Sequence, residues 1–247
     1  VALTLDGVPR ISRAQNMEAL TSMSTCAGYK GMIMAANDLP YFMPQMFTAV
    51  GQIVPAKVMV IGVGVAGLQA LATAKRLGAI TYAADIRPMA AENAKSLGAQ
   101  VVDTGVDPKL AVGEGGYAMR LPDDVLAAER EKLYPTIKEM DIVFCSALIP
   151  GKVAPTIITE EMVKGMKKGA AIVDISIDQG GNCECTPPGK HERIHDVMIN
   201  GIKNIPGLLA NSSTWMFSQN IYNLTKYLTH DGKIVLDPQD EICKGIT

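Results

Sequence analysis

Residues 57 to 87, KVMVIGVGVAGLQALATAKRLGAITYAADIR, set a glycine turn between two short apolar runs, an order that few folds accept. Val58 to Ile61 reads as a buried strand, and Gly62-Val-Gly64-Val-Ala-Gly67 follows at once. Apolar residues then recur at helical spacing through Leu68, Leu71, Ala72 and Leu77, and a second apolar run ends at Asp85. Strand, glycine turn, helix, strand and an acid about 20 residues on form the unit that binds a dinucleotide. Gly62 permits the turn, Gly64 lets a pyrophosphate approach the backbone, and Gly67 lets helix and strand pack closely. The helix N-terminus presents free N–H groups to the anion. Asp85 is expected to accept hydrogen bonds from the ribose 2′-OH of NAD and to repel the 2′-phosphate of NADP, an effect that Arg87 offsets in part. NAD is the expected cofactor. The competing reading, a helix–strand turn without a ligand, has less to say about the flanking strand, helix and acid.

The rest of the chain limits the alternatives. Its 247 residues are enough for one large or two small domains with a real core. A net charge of −2 and scattered lysines give no basic stripe, so nucleic acid is not an expected partner. No apolar run approaches the roughly 20 residues of a membrane helix, and the chain is expected to be soluble. Five cysteines, an odd number, with no signal peptide are expected to be reduced thiols of a cytosolic or matrix-like compartment.

Further strands are expected at Gln100 to Val102, Asp141 to Cys145, Ala170 to Ile175 and, weakly, Ile199 to Ile205. Helices are expected at Ala19 to about Phe47, broken near Pro40 and Pro44, and at Pro88 to Leu97, Asp123 to Lys138, Thr159 to Lys168 and Trp215 to Leu228. Val1 to Leu5 is a possible strand, Gly51 to Pro55 a linker, and the last segment, Glu241 to Thr247, shows no capping arrangement. The pattern predicts an α/β, Rossmann-like doubly wound parallel sheet over 48–213 with part of a second flanking subdomain. Residues 1–47 hold a hinge, a binding loop and a linking helix, and 214–247 a return helix and C-terminal segment. The glycine-rich stretch Asp103 to Pro122 is read as a mobile flap, against a plain surface excursion. Ser146 to Gly151 follows the fourth strand, at the carboxyl end that faces the ligand crevice, which places Leu148 toward the nicotinamide ribose.

Two constellations need weighing. Cys183-x-Cys185 with His191 and His195 offers four metal-ligand types, but C-x-C puts the thiols on opposite sides of an extended chain, and no metal is expected. Two loop thiols and a surface histidine pair are the plainer reading. Hydride transfer needs no protein nucleophile, because the cofactor carries the chemistry and the protein positions the reacting carbons. That makes Arg10, Gln15 and Glu18 the catalytic candidates: Arg and Gln hold a carboxamide, and an acid fixes the Arg.

Arg10-Ile-Ser-Arg-Ala-Gln15-Asn-Met-Glu18, Ala27-Gly-Tyr, GVGVAGLQA from Gly62, Arg76-Leu-Gly-Ala, Gly115-Gly-Tyr117-Ala, Ala147-Leu-Ile-Pro-Gly-Lys152, Ile158-Thr-Glu-Glu-Met-Val and Gly180-Gly-Asn-Cys together resemble the NAD(H)-binding domain I of proton-translocating NAD(P) transhydrogenase. The match runs in order over residues 9 to 247; alanine dehydrogenase is a more distant relation. The resemblance implies that Arg10, Ile11, Ser12, Gln15, Asn16, Met17 and Glu18 form the nicotinamide-binding loop, Gln15 bridging to an NADP-bearing partner domain. Glu18 stands where the family has Asp, keeping the charge on a longer arm. Gly62, Gly64, Val65 and Gly67 take the pyrophosphate; Asp85, Ile86 and Arg87 the adenosine ribose. Gly116 and Tyr117 sit at the tip of a mobile loop, and Ala147 and Leu148 line the nicotinamide pocket. The family has a further subdomain before the Arg10 loop, so the chain is expected to be a truncated domain I. The resemblance also implies hydride transfer from NADH to NADP⁺ on a partner domain, a proton-conducting transmembrane partner and a homodimer. It places the domain on an inner or cytoplasmic membrane enzyme, facing cytosol or matrix. Alone, the fragment is expected to bind NAD(H) and to catalyse little. The alternatives are a soluble alanine dehydrogenase-type enzyme and a non-catalytic NAD-binding domain.

Overall fold

Continuous Val/Ile/Met runs with no polar face suit strands covered on both sides, and such strands pair in parallel. The computed structural model describes residues 2–113, 118–149 and 151–247. It bears this out in β3 (Lys57–Ile61), β6 (Ile142–Cys145) and β7 (Ala171–Asp174), whose residues are buried almost throughout. With β4 (Ile80–Ala84), β5 (Gln100–Val101), β8 (His191–Ile194) and β9 (Val197–Asn200), they form a seven-stranded sheet among the described residues, in the order β5-β4-β3-β6-β7-β9-β8. All pairings are parallel except β8 with β9. Without β8, that order is two halves back to back, the sequence of strands running outward one way from β3 and the other way from β6.

The helices are α1 (Ala19–Asp38), α2 (Val65–Arg76), α3 (Pro88–Ser96), α4 (Pro108–Ala111), α5 (Asp123–Ile137), α6 (Glu160–Lys164), α7 (Ala210–Leu228) and α8 (Glu241–Ile246). Two compact units result, Val1–Ala27 with Pro206–Thr247, and Gly28–Ile205. In the larger, α2 turns Ala66, Ala70, Leu71 and Ala74 inward. The second half of α1 lies so close to α2 that a Cβ on Gly28 would stand 2.2 Å from the Ala66 carbonyl oxygen.

Several elements differ from expectation. The first long helix ends at Asp38, at the break expected near Pro40, and does not resume toward Phe47. The expected linker after it holds a hairpin, β1 (Met46–Thr48) with β2 (Gly51–Ile53). Leu5–Gly7 is a 3₁₀ turn, in keeping with a turn at Asp6-Gly7, but residues 2–4 ahead of it form no strand, and the Thr4 N–H bonds to the Ile246 carbonyl. The sixth parallel strand is Val197–Asn200, entered through a hairpin whose two turn residues, His195 and Asp196, both have positive φ. Such turns favour Asn-Gly, and His-Asp hid this one. The helix after Thr159 closes at Gly165, and α7 starts at Ala210, ahead of Trp215.

The C-terminal segment is capped after all. Asp240 accepts from the Cys243 N–H at 3.0 Å, from Arg13 Nη2 at 2.7 Å and from the Tyr227 hydroxyl at 3.0 Å. This holds α8 over the smaller unit's core of Val8, Ala14, Met17, Leu224, Leu228, Ile242 and Ile246. The Cys243 bond leads the causes that bring the Asp240 carboxyl down to about 2. Its folded pKa lies below the ordinary carboxylate value, so its contribution is complete above about pH 4 and lost as pH falls toward 2. Asp240→Ala should destabilise α8 by about 1 kcal/mol, read as faster amide exchange at Lys244 to Thr247; unchanged exchange would refute the cap.

Candidate functional site

β3 ends at Ile61, and Gly62, at φ +83°, turns the chain directly into α2. A Cβ on Gly62 would lie 2.5 Å from Ala147 Cα and N, and one on Gly67 would lie 2.2 Å from the Gly62 carbonyl oxygen. Both glycines are therefore required by the protein's own packing. Gly64 differs: its φ is −80°, nothing stands within 4 Å of where its Cβ would be, and as N-cap of α2 it supplies no side chain to the helix N–H groups. That open cradle at the N-terminus of a twelve-residue helix fits an anion and serves no internal contact.

Asp85, at the end of β4, accepts from the Val63 N–H at 2.7 Å, the Arg87 N–H at 2.8 Å, Arg87 Nε at 2.9 Å and Arg87 Nη2 at 2.8 Å. Four bonds fill the carboxylate's four acceptor positions. Its side chain is 3% exposed against 20% for Arg87. Asp85 thus braces the glycine turn, and a ribose hydroxyl would reach it by displacing Arg87. Glu129 on α5 is buried nearby. Burial, and then the charge of Asp85, push its carboxyl up to about 7, with Arg130 opposing.

At the carboxyl end of β6, the Ser146 hydroxyl donates to the Gly62 carbonyl at 2.6 Å. The next residue, Ala147, is held on both sides by the Asn182 amide, and Leu148 stands partly exposed beyond it. Asn182 is supported by Asp174, a fully buried carboxylate that accepts from the N–H groups of Ser176, Asn182 and Cys183 and from Thr186 Oγ1. Burial raises the Asp174 carboxyl against those bonds.

The Arg10 loop belongs to the smaller unit. Arg10 Nε donates to Glu18 Oε1 at 3.1 Å, so the longer acid reaches its partner. Ser12–Met17 is a 3₁₀ turn whose Asn16 carbonyl accepts from Asn220 Nδ2 at 3.0 Å and Asn223 Nδ2 at 3.2 Å, both on α7. Ser12, Gln15 and Asn16 are exposed, while Met17 is packed into the unit's core.

Residues 31–247 match the family model described as alanine dehydrogenase/PNT, C-terminal domain. The chain belongs to that family. Among relatives of this alanine dehydrogenase/PNT domain, the first part of NAD(P) transhydrogenase subunit alpha from Rhodospirillum rubrum is 42% identical over 247 residues, covering 99% of this chain and 64% of the relative. An alanine dehydrogenase of Staphylococcus epidermidis is 34% identical over 207 residues, covering 81% of this chain and 50% of the relative. The crystal structure of transhydrogenase from Sinorhizobium meliloti superimposes with a TM-score of 0.84 at 36% identity, covering 99% of this chain and 65% of that one. The chain therefore spans about 64% of the length of the Rhodospirillum rubrum protein it matches.

In this alanine dehydrogenase/PNT domain the expected residues fall into two groups. Gly62, Gly64, Val65, Gly67, Asp85, Ile86, Arg87, Ala147 and Leu148 lie at the carboxyl ends of β3, β4 and β6 in the larger unit; Arg10 to Glu18 form one loop of the smaller. Gly116 and Tyr117 lie outside the described residues; of the stretch read as a flap, 103–113 and 118–122 are described and hold α4 and an antiparallel bridge between Val112 and Ala118. Cys183, His191 and His195 go separate ways: the Cys183 thiol is buried and pushed up to about 12, His191 Nε2 meets Asp38 at 3.0 Å, and His195 Nε2 meets Glu160 at 2.8 Å. Cys183 is thus a loop residue, as expected, whose thiol packs into the core. Among the described residues no group of three or more His, Cys, Asp or Glu is placed to hold a metal, and no helix is long and apolar enough to cross a membrane. Sequence reasoning passed over Asp174, Asn182, Asn220 and Glu129. For Asn182 the signal was the pair Gly180-Gly181, both at positive φ.

Proposed function

We propose that this chain is the NAD(H)-binding component of a proton-translocating NAD(P)⁺ transhydrogenase. The observation that carries the reading is the open cradle at Gly64, on a helix N-terminus at the point where strand order reverses. Similarity to transhydrogenase alpha subunits across 99% of the chain supports it. Bound NAD(H) supplies the hydride chemistry. The glycine turn binds its pyrophosphate, the Asp85–Arg87 edge takes the adenosine ribose, Ala147 and Leu148 bound the nicotinamide side, and Gly116 and Tyr117 close over the nucleotide. Arg10, Gln15 and Glu18 fix the carboxamide and meet the partner, with Glu18 holding Arg10.

The partners in this reading are an NADP(H)-binding domain that accepts the hydride, a proton-conducting membrane domain, and a second copy of this chain. The β1–β2 hairpin and the residue after it support the last, since Phe47, Val50 and Val54 are 77%, 97% and 73% exposed. The domain faces the cytosol or matrix. Alone it binds NAD(H) and transfers little.

NADH should bind more tightly than NADPH in a fluorescence titration. Adding an isolated NADP-binding domain should then start hydride transfer to an NADP⁺ analogue, and Gln15→Ala should slow that transfer at unchanged NADH affinity. Tighter NADPH binding would sink the reading. The 34% relative favours a second reading, alanine dehydrogenase; alanine-dependent reduction of NAD⁺ by the chain itself would establish it.

A further inference from the structure

The ladder between β6 and β7 ends at the pair Cys145–Asp174. Ala147 lies two residues beyond, where no strand is left to pair with it, and its N–H and C=O need partners. A side-chain amide meets both. Asn182 Oδ1 accepts from the Ala147 N–H at 2.9 Å, and Nδ2 donates to the Ala147 carbonyl at 2.8 Å, as a neighbouring strand would. The amide's remaining positions are filled by the Ser176 hydroxyl at 2.8 Å and the Pro155 carbonyl at 2.9 Å. Asn182 itself is fully buried and fixed through its backbone: its N–H donates to Asp174 Oδ2 at 2.7 Å, and its carbonyl accepts from Ile157 and Ile158 at 2.8 and 2.9 Å. Among side chains only Asn and Gln present a donor and an acceptor side by side without first taking up a proton, and Gln is one methylene too long for a site packed this closely.

The consequence reaches the glycine turn. The Ala147 backbone sits where a Cβ on Gly62 would go, so the amide fixes the gap between the phosphate turn and the loop that continues to Leu148. We infer that Asn182 is a positioning residue that sets the nicotinamide half of the dinucleotide site, through Ala147, while leaving the adenosine half alone. The inference rests on the proposed NAD(H) reading. The Asp85–Arg87 edge belongs to β4, on the other side of β3 from β6, and shares no hydrogen bond with the amide.

The test is calorimetric titration of the whole chain with NADH and with ADP-ribose, which lacks the nicotinamide. Asn182→Ala should weaken NADH about tenfold, as a preorganised loop is lost, and leave ADP-ribose affinity within about twofold. Ser176→Ala, which removes one bond to the amide and the longer 3.5 Å bond of the same hydroxyl to the Ala147 carbonyl, and keeps both amide bonds to Ala147, should shift the same ratio less. Cys183→Ala, a cavity in the adjacent core, should lower the melting temperature without changing the ratio. Equal weakening of both ligands, or of neither, overturns the positioning role. If Asn182→Ala does not fold, the Ser176→Ala ratio decides: a selective loss of NADH upholds the inference and an unchanged ratio overturns it. A wild-type chain that binds neither ligand overturns the NAD(H) reading and the inference with it, whereas one that binds both and yields indifferent variants overturns only the inference.

Discussion

Gly62→Ala should unfold the larger unit under conditions where Gly64→Ala leaves it intact and deprives it of dinucleotide. At Gly62 an L side chain meets two penalties. The φ of +83° costs of order 1–3 kcal/mol for a non-glycine residue. A methyl 2.5 Å from Ala147 Cα and N must also push apart two backbone segments, which adds about 1–3 kcal/mol. The sum, roughly 4 kcal/mol, is a large part of the 5–15 kcal/mol a domain has. At Gly64 neither penalty applies, and weaker N-capping by Ala costs under about 1 kcal/mol. What the Gly64 methyl does occupy is the space a pyrophosphate needs to reach the α2 N–H groups. Urea unfolding followed by circular dichroism should therefore show a greatly lowered midpoint for Gly62→Ala and a near wild-type one for Gly64→Ala. NADH affinity of Gly64→Ala should fall at least about tenfold. Wild-type affinity in Gly64→Ala would remove the pyrophosphate from this turn.

The contrast between these glycines also marks what was legible in the sequence. The spacing of Gly62, Gly64 and Gly67 between Val58–Ile61 and Asp85 fixed strand, turn, helix and strand order, because each needs a local backbone property that residue type declares. The parallel strands were legible for the same reason: runs such as Ile142-Val-Phe-Cys145 admit no exposed face. Elements defined by pairing were not. The hairpins at Thr48–Gly51 and Ile194–Val197 use turns without an Asn-Gly signal, and β8 reads His-Glu-Arg-Ile, mostly exposed, as an edge strand permits. Within the site, residue type overstated one role and concealed others. Asp85 sits where a ribose acceptor is expected, yet its four acceptor positions are taken by Val63 and Arg87. Asn220 and Asn223 read as ordinary polar residues, and Asn182 only as a member of the Gly180-Gly-Asn-Cys motif with no role of its own, because their value lies in which main-chain carbonyl or N–H they meet, and only the fold decides that.

Glu129 is the extreme case of concealment, and the stability of the larger unit should fall with rising pH because of it. On a helix reading Asp-Asp-Val-Leu-Ala-Ala-Glu-Arg-Glu-Lys it passes for one of several solvated charges, yet it is 4% exposed. Burial disfavours its charged form first, and the negative charge of Asp85 adds to this. Arg130 offers limited relief, since its guanidinium donates through both Nε and Nη2 to the Thr156 carbonyl. The carboxyl therefore titrates at about 7 in the fold, against 4.5 for an ordinary Glu. A raised carboxyl pKa means that the folded state holds a proton the unfolded state has released, so stability declines from about pH 4.5 to about pH 7 and levels off above. At 1.36 kcal/mol per pKa unit the decline is about 3 kcal/mol for this group. Glu129→Gln keeps the shape and the neutral charge. It should leave the unfolding free energy at pH 5 nearly unchanged, flatten the slope between pH 5 and pH 7.5, and make the protein more stable than wild type at pH 8. Identical pH profiles for the two proteins would mean that Glu129 is ionised in the fold and that the Asp85 edge carries a second full negative charge at neutral pH.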